Sequence, residues 1–268
     1  MTGNALGLDW WRGRISRPKS TDLAALPIVA AKLRQAATGC APFQAPLQDG
    51  RVVWVKTMGN PQGNQALTTE FVVASVGRRL GLSVAEPIIV HLPAVLAGMV
   101  RDHPEAPILQ PGPAFASAHI ADAEEKYEFT AALKDDNPRR HVGIWALWEL
   151  FLGDDAQWIY SMSNDEATYS FDHSLWLARH EADWNRELLT QEVGNTWDRF
   201  TTDTSYFDPT EVRRLALALR ALAPEEILEI LVQVPVEWET STSDLEALGW
   251  FLATRRFHVA DRLDALNP

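Results

Sequence analysis

Asp49-Gly50-Arg51-Val52-Val53-Trp54-Val55-Lys56-Thr57-Met58-Gly59-Asn60-Pro61-Gln62-Gly63-Asn64 is the stretch on which the fold turns. Asp-Gly ahead of a run of β-branched and aromatic residues is a hairpin signal, so a turn at 49–50 should feed a strand ending at Lys56. Side chains alternate along a strand, which puts Val52, Trp54 and Lys56 on one face and Val53 and Val55 on the other. The run from Gly59 to Asn64 reads as a loop. From 67 to 80 the apolar residues Leu67, Phe71, Val72, Ala74, Val76 and Leu80 fall at helical spacing, and Gly81 stands where a glycine stop belongs. Residues 86–91 (Glu-Pro-Ile-Ile-Val-His) form another short strand. Upstream, 28–33 fits strand or helix, and 38–46 is rich in Gly, Ala and Pro.

Further along, residues 101–118 hold Pro104, Pro107, Pro111 and Pro113, which marks a boundary. Beyond it the pattern turns helical over 121–133, 140–152, 209–222, 224–232 and 243–266. Between these, Trp158-Ile159-Tyr160 and Thr168-Tyr169-Ser170-Phe171 flank a polar turn at 163–166, the pattern of a hairpin set among helices. The expectation is an α+β chain of two lobes. An arm covers 1–24, a small mostly-β lobe with one helix covers 25–112, and a larger mostly-α lobe with an inserted hairpin covers 113–268.

Composition narrows the function. The chain has 268 residues, 46% hydrophobic and 22% charged, which is globular and excludes disorder. A formal net charge of −12 repels phosphate backbones, so neither nucleic acid nor an anionic membrane is an expected partner. A single cysteine, Cys40, excludes an intramolecular disulfide and a Cys-rich zinc site. No apolar stretch approaches the ~20 residues needed to cross a bilayer, and residues 1–20 lack a secretory apolar run, so a cytoplasmic location is expected. The seven histidines show no paired ligand spacing, and no Gly-x-Ser-x-Gly elbow is present.

Three features stand in the order a phosphoryl-transfer site requires. Lys56 can reach phosphate oxygens as a point charge. Glu70, on the following helix, can pair with Lys56, or can serve as a first-turn acid against the helix dipole. Gly153-Asp154-Asp155 and Phe171-Asp172-His173-Ser174 bracket the hairpin, and Mg²⁺ typically takes one or two carboxylates together with substrate phosphates. Backbone amides of 57–65, with Gly59 and Gly63 permitting close approach, are a candidate phosphate cradle. The tryptophans read mainly as packing, with Trp158, in the hairpin, the one considered for stacking on a nucleotide.

The string from Gly39 and Pro42 through Val55-Lys56, Gly59-Asn60-Pro61-Gln62-Gly63, Thr69-Glu70 and Leu80-Gly81-Leu82-Ser83-Val84-Ala85-Glu86-Pro87 resembles the N-lobe of the HipA-like kinase family. Phe171-Asp172-His173-Ser174 resembles that family's Ile-Asp-His-Gly metal motif, and Val234-Pro235-Val236-Glu237-Trp238 with Arg255-Arg256 resembles its ending. The resemblance implies a protein-kinase-like fold, ATP and Mg²⁺ as cofactors, and a protein Ser/Thr or small-molecule hydroxyl as acceptor. It implies Lys56 on the phosphates, Glu70 as its partner, Asp172 as metal ligand, and Asp154 or Asp155 orienting the acceptor. One departure is plain. The family's catalytic loop places an asparagine several residues after its aspartate, whereas here Gln157 stands at that place in a shortened loop. The same fold without catalysis, a pseudokinase serving as a nucleotide-binding or interaction module, is the alternative this departure raises.

Overall fold

The hairpin around Asp49-Gly50 forms the centre of the N-terminal lobe in a computed structural model, which describes residues 7–17, 26–36, 40–97, 109–177, 183–197 and 199–266. Gly39, Pro104 and Pro107 lie outside the described residues. Strand β2 (Phe43–Pro46) runs antiparallel to β3 (Val52–Lys56), with Gln44 opposite Trp54 and Phe43 opposite Val55. β1 (Arg34–Gln35), β4 (Pro87–Leu92) and β5 (Gly112–Ala118) complete a five-stranded antiparallel sheet in the order β1-β2-β3-β5-β4. Residues 28–33 run beside it, through isolated bridges of Ile28 with His91 and Val29 with Leu47 and through the Ala30 and Leu33 N–H groups, which donate to the Pro46 and Gln44 carbonyls of β2.

Alternation along β3 sorts its side chains as the sequence pattern requires. Val53 and Val55 are fully buried in a cluster with Phe43, Ala45, Val90 and Ala116. Trp54 and Lys56 therefore face the other side of the sheet, toward the C-terminal lobe.

Helix α2 (Gln65–Arg79) is buried on almost every side, from Leu67 through Val76. A helix enclosed all round is a core element, and α2 shares the main hydrophobic cluster with α4 (Asn137–Leu150) and α8 (Thr242–Leu266). Gly81 ends it with φ +74°, its N–H donating to the Arg78 carbonyl, the left-handed stop that a Cβ would disfavour.

Two sequence expectations need correction. β5 runs through the boundary expected at 112/113, so the chain leaves the sheet only after Ala118. Residues 121–133 do not form a helix. β6 (Ala123–Lys126) is instead the edge of a second sheet, pairing with β7 (Trp158–Ser161), which pairs with β8 (Ala167–Ser170). Ala-Glu-Glu-Lys is helix-favouring by propensity alone, and the ladder with β7 overrides that weak preference.

The expected hairpin is β7–β8, and α4, α6 (Pro209–Ala221), α7 (Pro224–Leu231) and α8 lie within a few residues of the helical patterns. Asn185 caps a helix the pattern did not show, α5 (Arg186–Glu192), accepting from the Leu188 N–H. In the arm, a short helix α1 (Leu8–Trp11) seats Trp11 against Gly249 of α8. One turn, α3 (Ala94–Ala97), follows β4. Among the described residues no helix is long and apolar enough to cross a membrane.

Candidate active site between the lobes

Lys56 closes β3 with its side chain 7% exposed, beside the still more deeply buried Glu70 of α2. Its ammonium is ion-paired with Glu70 Oε1 and lies 2.5 Å from Asp172 Oδ1, which follows β8 in the other lobe. Burial opposes charging of the lysine, but Asp172 and Glu70 outweigh it and hold its pKa well above the ordinary value. Burial works against the Glu70 carboxylate too, and Lys56 reverses the balance, leaving Glu70 well below the usual range. Glu70 lies in the second turn of α2, so the first-turn dipole reading does not hold.

The Asp172 loop is fixed from both lobes. Ser170 exchanges backbone hydrogen bonds with the segment after α2, donating to Ser83 and accepting from Ala85. His173 faces Glu70 Oε2 through Nδ1 at 3.4 Å, bonds Ser170 Oγ through Nε2 at 2.8 Å, and packs edge-on against Trp176. Ser174 Oγ donates to Asp172 Oδ1 at 3.0 Å.

In an antiparallel hairpin, the residues before the first strand and after the second lie at one end. Trp158 pairs with Ser170, so 154–157 and Asp172 meet there. The two acids of Gly153-Asp154-Asp155 differ in what they do. Asp154 turns to Arg199, 3.5 Å away, and accepts from the Asp155 N–H. Asp155 is exposed and accepts from Gln157 Nε2 at 3.0 Å. Partial desolvation and the charges of Asp172 and Asp154 raise its pKa.

Gly153 sets the turn before them. A Cβ there would fall 2.2 Å from the Trp148 ring, and the Gly153 carbonyl accepts from Trp197 Nε1 at 2.7 Å. Gly153→Ala is therefore expected to destabilise the fold by about 1–3 kcal/mol through overpacking, read as a lowered melting temperature.

A cavity of about 470 Å³ lies under the N-terminal sheet, within the usual size of a small-molecule site. Lys56, Glu70 and Asp172 line one end, and Trp54, His119 and Arg34 the other. The structure thus brings together Lys56, Glu70, Asp172, Asp155 and Gln157. Gly59 and Gly63 are not brought to the cavity: the Gly59 N–H is bonded to Asn64 Oδ1, the Gly63 N–H to the Asn60 carbonyl, and the Gln62 N–H to Asn60 Oδ1. Three of the loop's amides are thus bonded within the loop, and Cys40 bonds the Gln62 side chain. Trp158 is fully buried among Trp148, Phe129 and Phe200, closed to any nucleotide.

Among the described residues no three His, Cys, Asp or Glu side chains converge as a complete metal site. Asp172 and Gln157 are two candidate oxygen donors, a number Mg²⁺ accepts when phosphates and water supply the rest. Burial, and then the charges of Asp172 and Asp155, raise the pKa of Glu125 on β6, which also lines the cavity. Glu125 escaped the sequence reading because its strand looked helical. Trp54 was legible as a neighbour of Lys56 on one strand face, but nothing in the sequence marked it as a cavity wall.

Residues 28–149 match the family model described as HipA-like kinase, which bears out the resemblance read from the sequence. The structure of the Helicobacter pylori proinflammatory kinase CtkA superposes with a TM-score of 0.56 at 13% identity, covering 92% of this chain and 98% of that one. That likeness establishes a protein-kinase-like fold. The Golgi casein kinase aligns with a TM-score of 0.48 at 11% identity, over 92% of this chain and 74% of that one. Its Mn/ADP-bound structure aligns at 0.49 and 10% identity, over 92% and 75%. No curated protein matches the sequence.

Proposed function

We infer that this chain, with its HipA-like kinase match and its interlobe cavity, is an ATP- and Mg²⁺-dependent phosphotransferase acting on a hydroxyl of a protein Ser/Thr or of a small molecule. The observation that carries the reading is the buried Lys56, paired at once with Glu70 of its own lobe and Asp172 of the other. A buried cation with two carboxylates is costly to build for stability alone, but it suits a site where an anionic ligand takes over one partnership.

The roles follow from position. Lys56 binds phosphate oxygens, with Glu70 holding it in line. Asp172, released from Lys56, holds the cation with Gln157. A bound Mg²⁺ supplies neutralisation of the developing phosphate charge. Asp155 accepts the proton of the acceptor hydroxyl, its raised pKa bringing it nearer the working pH of a general base. Asp154, turned toward Arg199, shapes the loop.

Thermal unfolding with and without ATP and Mg²⁺ tests the binding step. A ligand at about 100 times its dissociation constant adds about 2.7 kcal/mol, and a metal-dependent rise in melting temperature is expected. Absence of any rise at millimolar ATP would sink the nucleotide reading. Transfer is then followed with γ-labelled ATP. Asp155→Asn is expected to lower turnover at least about 100-fold and Asp154→Asn far less. Equal losses would remove the distinction between the two acids.

A second reading is favoured by one contact. The amide of Gln157 is engaged with Asp155 in a shortened loop, so a nucleotide-binding protein without transfer is the alternative. A nucleotide-dependent melting shift with no label transfer to any protein or small-molecule hydroxyl would select it.

A further inference from the structure

β6 is the open edge of the second sheet. β7 pairs with it on one side, and among the described residues no strand pairs with the other. The opposite edge is closed, because Ser170 of β8 bridges to Val84 and bonds Ser83 and Ala85. The Met162 N–H donates to the Asp122 carbonyl, which sets the phase of the ladder between β6 and β7. Residues 122, 124 and 126 therefore turn their backbone groups toward β7, and Ala123 and Glu125 turn theirs outward. Residues 121–125 are all exposed, so these outward N–H and C=O groups are a template for a strand of another chain.

Charge decides what pairs there. Residues 121–128 carry Asp122, Glu124, Glu125 and Glu128 against one cation, Lys126, which Glu166 holds at 3.1 Å. Among the described residues none of these four acids is ion-paired. Sheets commonly guard an open edge with charge, but a guard of a single sign excludes acidic segments and attracts basic ones. Position decides what a docked segment does. The side chains of Ala123 and Glu125 line the same cavity as Lys56 and Asp172, with Ile159 of β7 opposite Glu125. Asp155 and Asp172 both act electrostatically on Glu125, whose carboxylate accepts from the Tyr127 hydroxyl, and Asp155 acts on Tyr127 too. The open edge thus runs beside the general base inferred above.

We propose that the open edge of β6 is the acceptor-docking strand: an extended segment of a substrate protein, bearing a serine or threonine and a basic residue, pairs its backbone with Ala123 and Glu125, and Glu125 selects the basic side chain. This rests on the phosphotransferase reading and narrows its acceptor to a protein. The docked hydroxyl oxygen bonds the γ-phosphorus as that phosphorus parts from ADP, and its proton passes to Asp155.

The test is label transfer from γ-labelled ATP with Mg²⁺ to an arrayed peptide library. Each member has one central serine or threonine, with every other position fixed in turn as arginine, lysine, glutamate or valine. Basic members are expected to be labelled at least about 10-fold faster than acidic ones at low salt, a preference that added salt weakens. In Glu125→Gln that preference should fall at least about threefold. Backbone pairing is read separately, by N-methylating alternate amides of the best basic peptide. One alternate set is expected to lower kcat/KM about 10-fold and the other to leave it within about twofold, since only one set faces β6. Glu125→Pro removes an outward N–H while sparing the ladder with β7, and should lower kcat/KM for that peptide further than Glu125→Gln does. Labelling of acidic members as fast as basic ones, or a basic preference undiminished in Glu125→Gln, would overturn the proposal while leaving the phosphotransferase reading standing. Equal loss from both methylated sets, or loss from neither, would do the same, as would transfer to small-molecule hydroxyls with no peptide labelled. Transfer to no acceptor at all would overturn both readings together.

Discussion

Asp172→Asn is expected to lower phosphate transfer at least about 1,000-fold, equivalent to about 4 kcal/mol of transition-state stabilisation. The substitution is nearly isosteric. Asparagine keeps an oxygen that can accept from Ser174 Oγ, and Lys56 keeps Glu70, so the loop between β8 and Trp176 has no reason to move. What disappears is one negative charge at the point where the lobes meet. Without it the cation expected beside Asp172 loses its only carboxylate among the two candidate donors, because Gln157 offers an uncharged oxygen. Positioning and charge neutralisation supply most of the rate in phosphoryl transfer, and this change removes the second while sparing the first. Label transfer from γ-labelled ATP at saturating nucleotide measures it, with circular dichroism and a melt confirming the fold. Retention of more than a tenth of the unaltered activity would remove Asp172 from the chemistry. The prediction separates enzyme from binding module as well, since a pseudokinase shows the same null transfer before and after substitution.

Much of the N-terminal lobe was legible because its signals are local and strong. Asp49-Gly50 fixes the hairpin register, alternation fixes which face of β3 carries Trp54 and Lys56, and Gly81 ends α2. The pairing of Lys56 with Glu70 was legible as one of two alternatives from the order of strand and helix and was implied by the resemblance, whereas the ion pair with Asp172 was not read at all, since residues 56 and 172 share no spacing that periodicity could expose. β6 was missed because a four-residue edge strand is stabilised by its partner β7 and not by its own sequence. The division of labour between Asp154 and Asp155 was equally invisible. It is decided by Arg199, about 45 residues downstream in the sequence, which engages one of two adjacent identical side chains. Which amides the loop around Gly59 and Gly63 leaves free was hidden from the sequence for a related reason. A glycine-rich loop has amides to offer only if its own side chains leave them free, and Asn60 and Asn64 do not.

The energetic consequence of the buried pair is the second large effect. Lys56→Met leaves Glu70 as an ionised carboxylate, 2% exposed, with its main counter-charge gone. Breaking a buried pair from one side typically costs about 3–5 kcal/mol, which for a chain of this size lowers the melting temperature by roughly 10 °C. The sign of the pH dependence identifies the cause. In the unaltered protein Glu70 has a folded-state pKa below its unfolded value near ~4.3. Its contribution is therefore fully present above that value and is lost only in more acid solution, as pH falls through the lower folded pKa. Lys56 has a raised folded-state pKa, so its contribution is present below its unfolded value of ~10.4 and is lost only as pH rises through the higher folded one. The pair thus adds no slope between those limits. In Lys56→Met only His173 is left to oppose burial at Glu70, so its folded pKa is expected to move above the unfolded one and the carboxyl to take up a proton on folding. The variant's stability should then rise as pH falls from 8 toward 5, narrowing its gap to the unaltered protein. Melts across that range measure the gap, and one that stays constant or widens on acidification rules out an orphaned carboxylate as the source. The double variant Lys56→Met with Glu70→Gln removes the charge altogether. It should recover a large part of the lost stability at pH 8 and show no such slope, because a neutral amide in that place has no proton to gain.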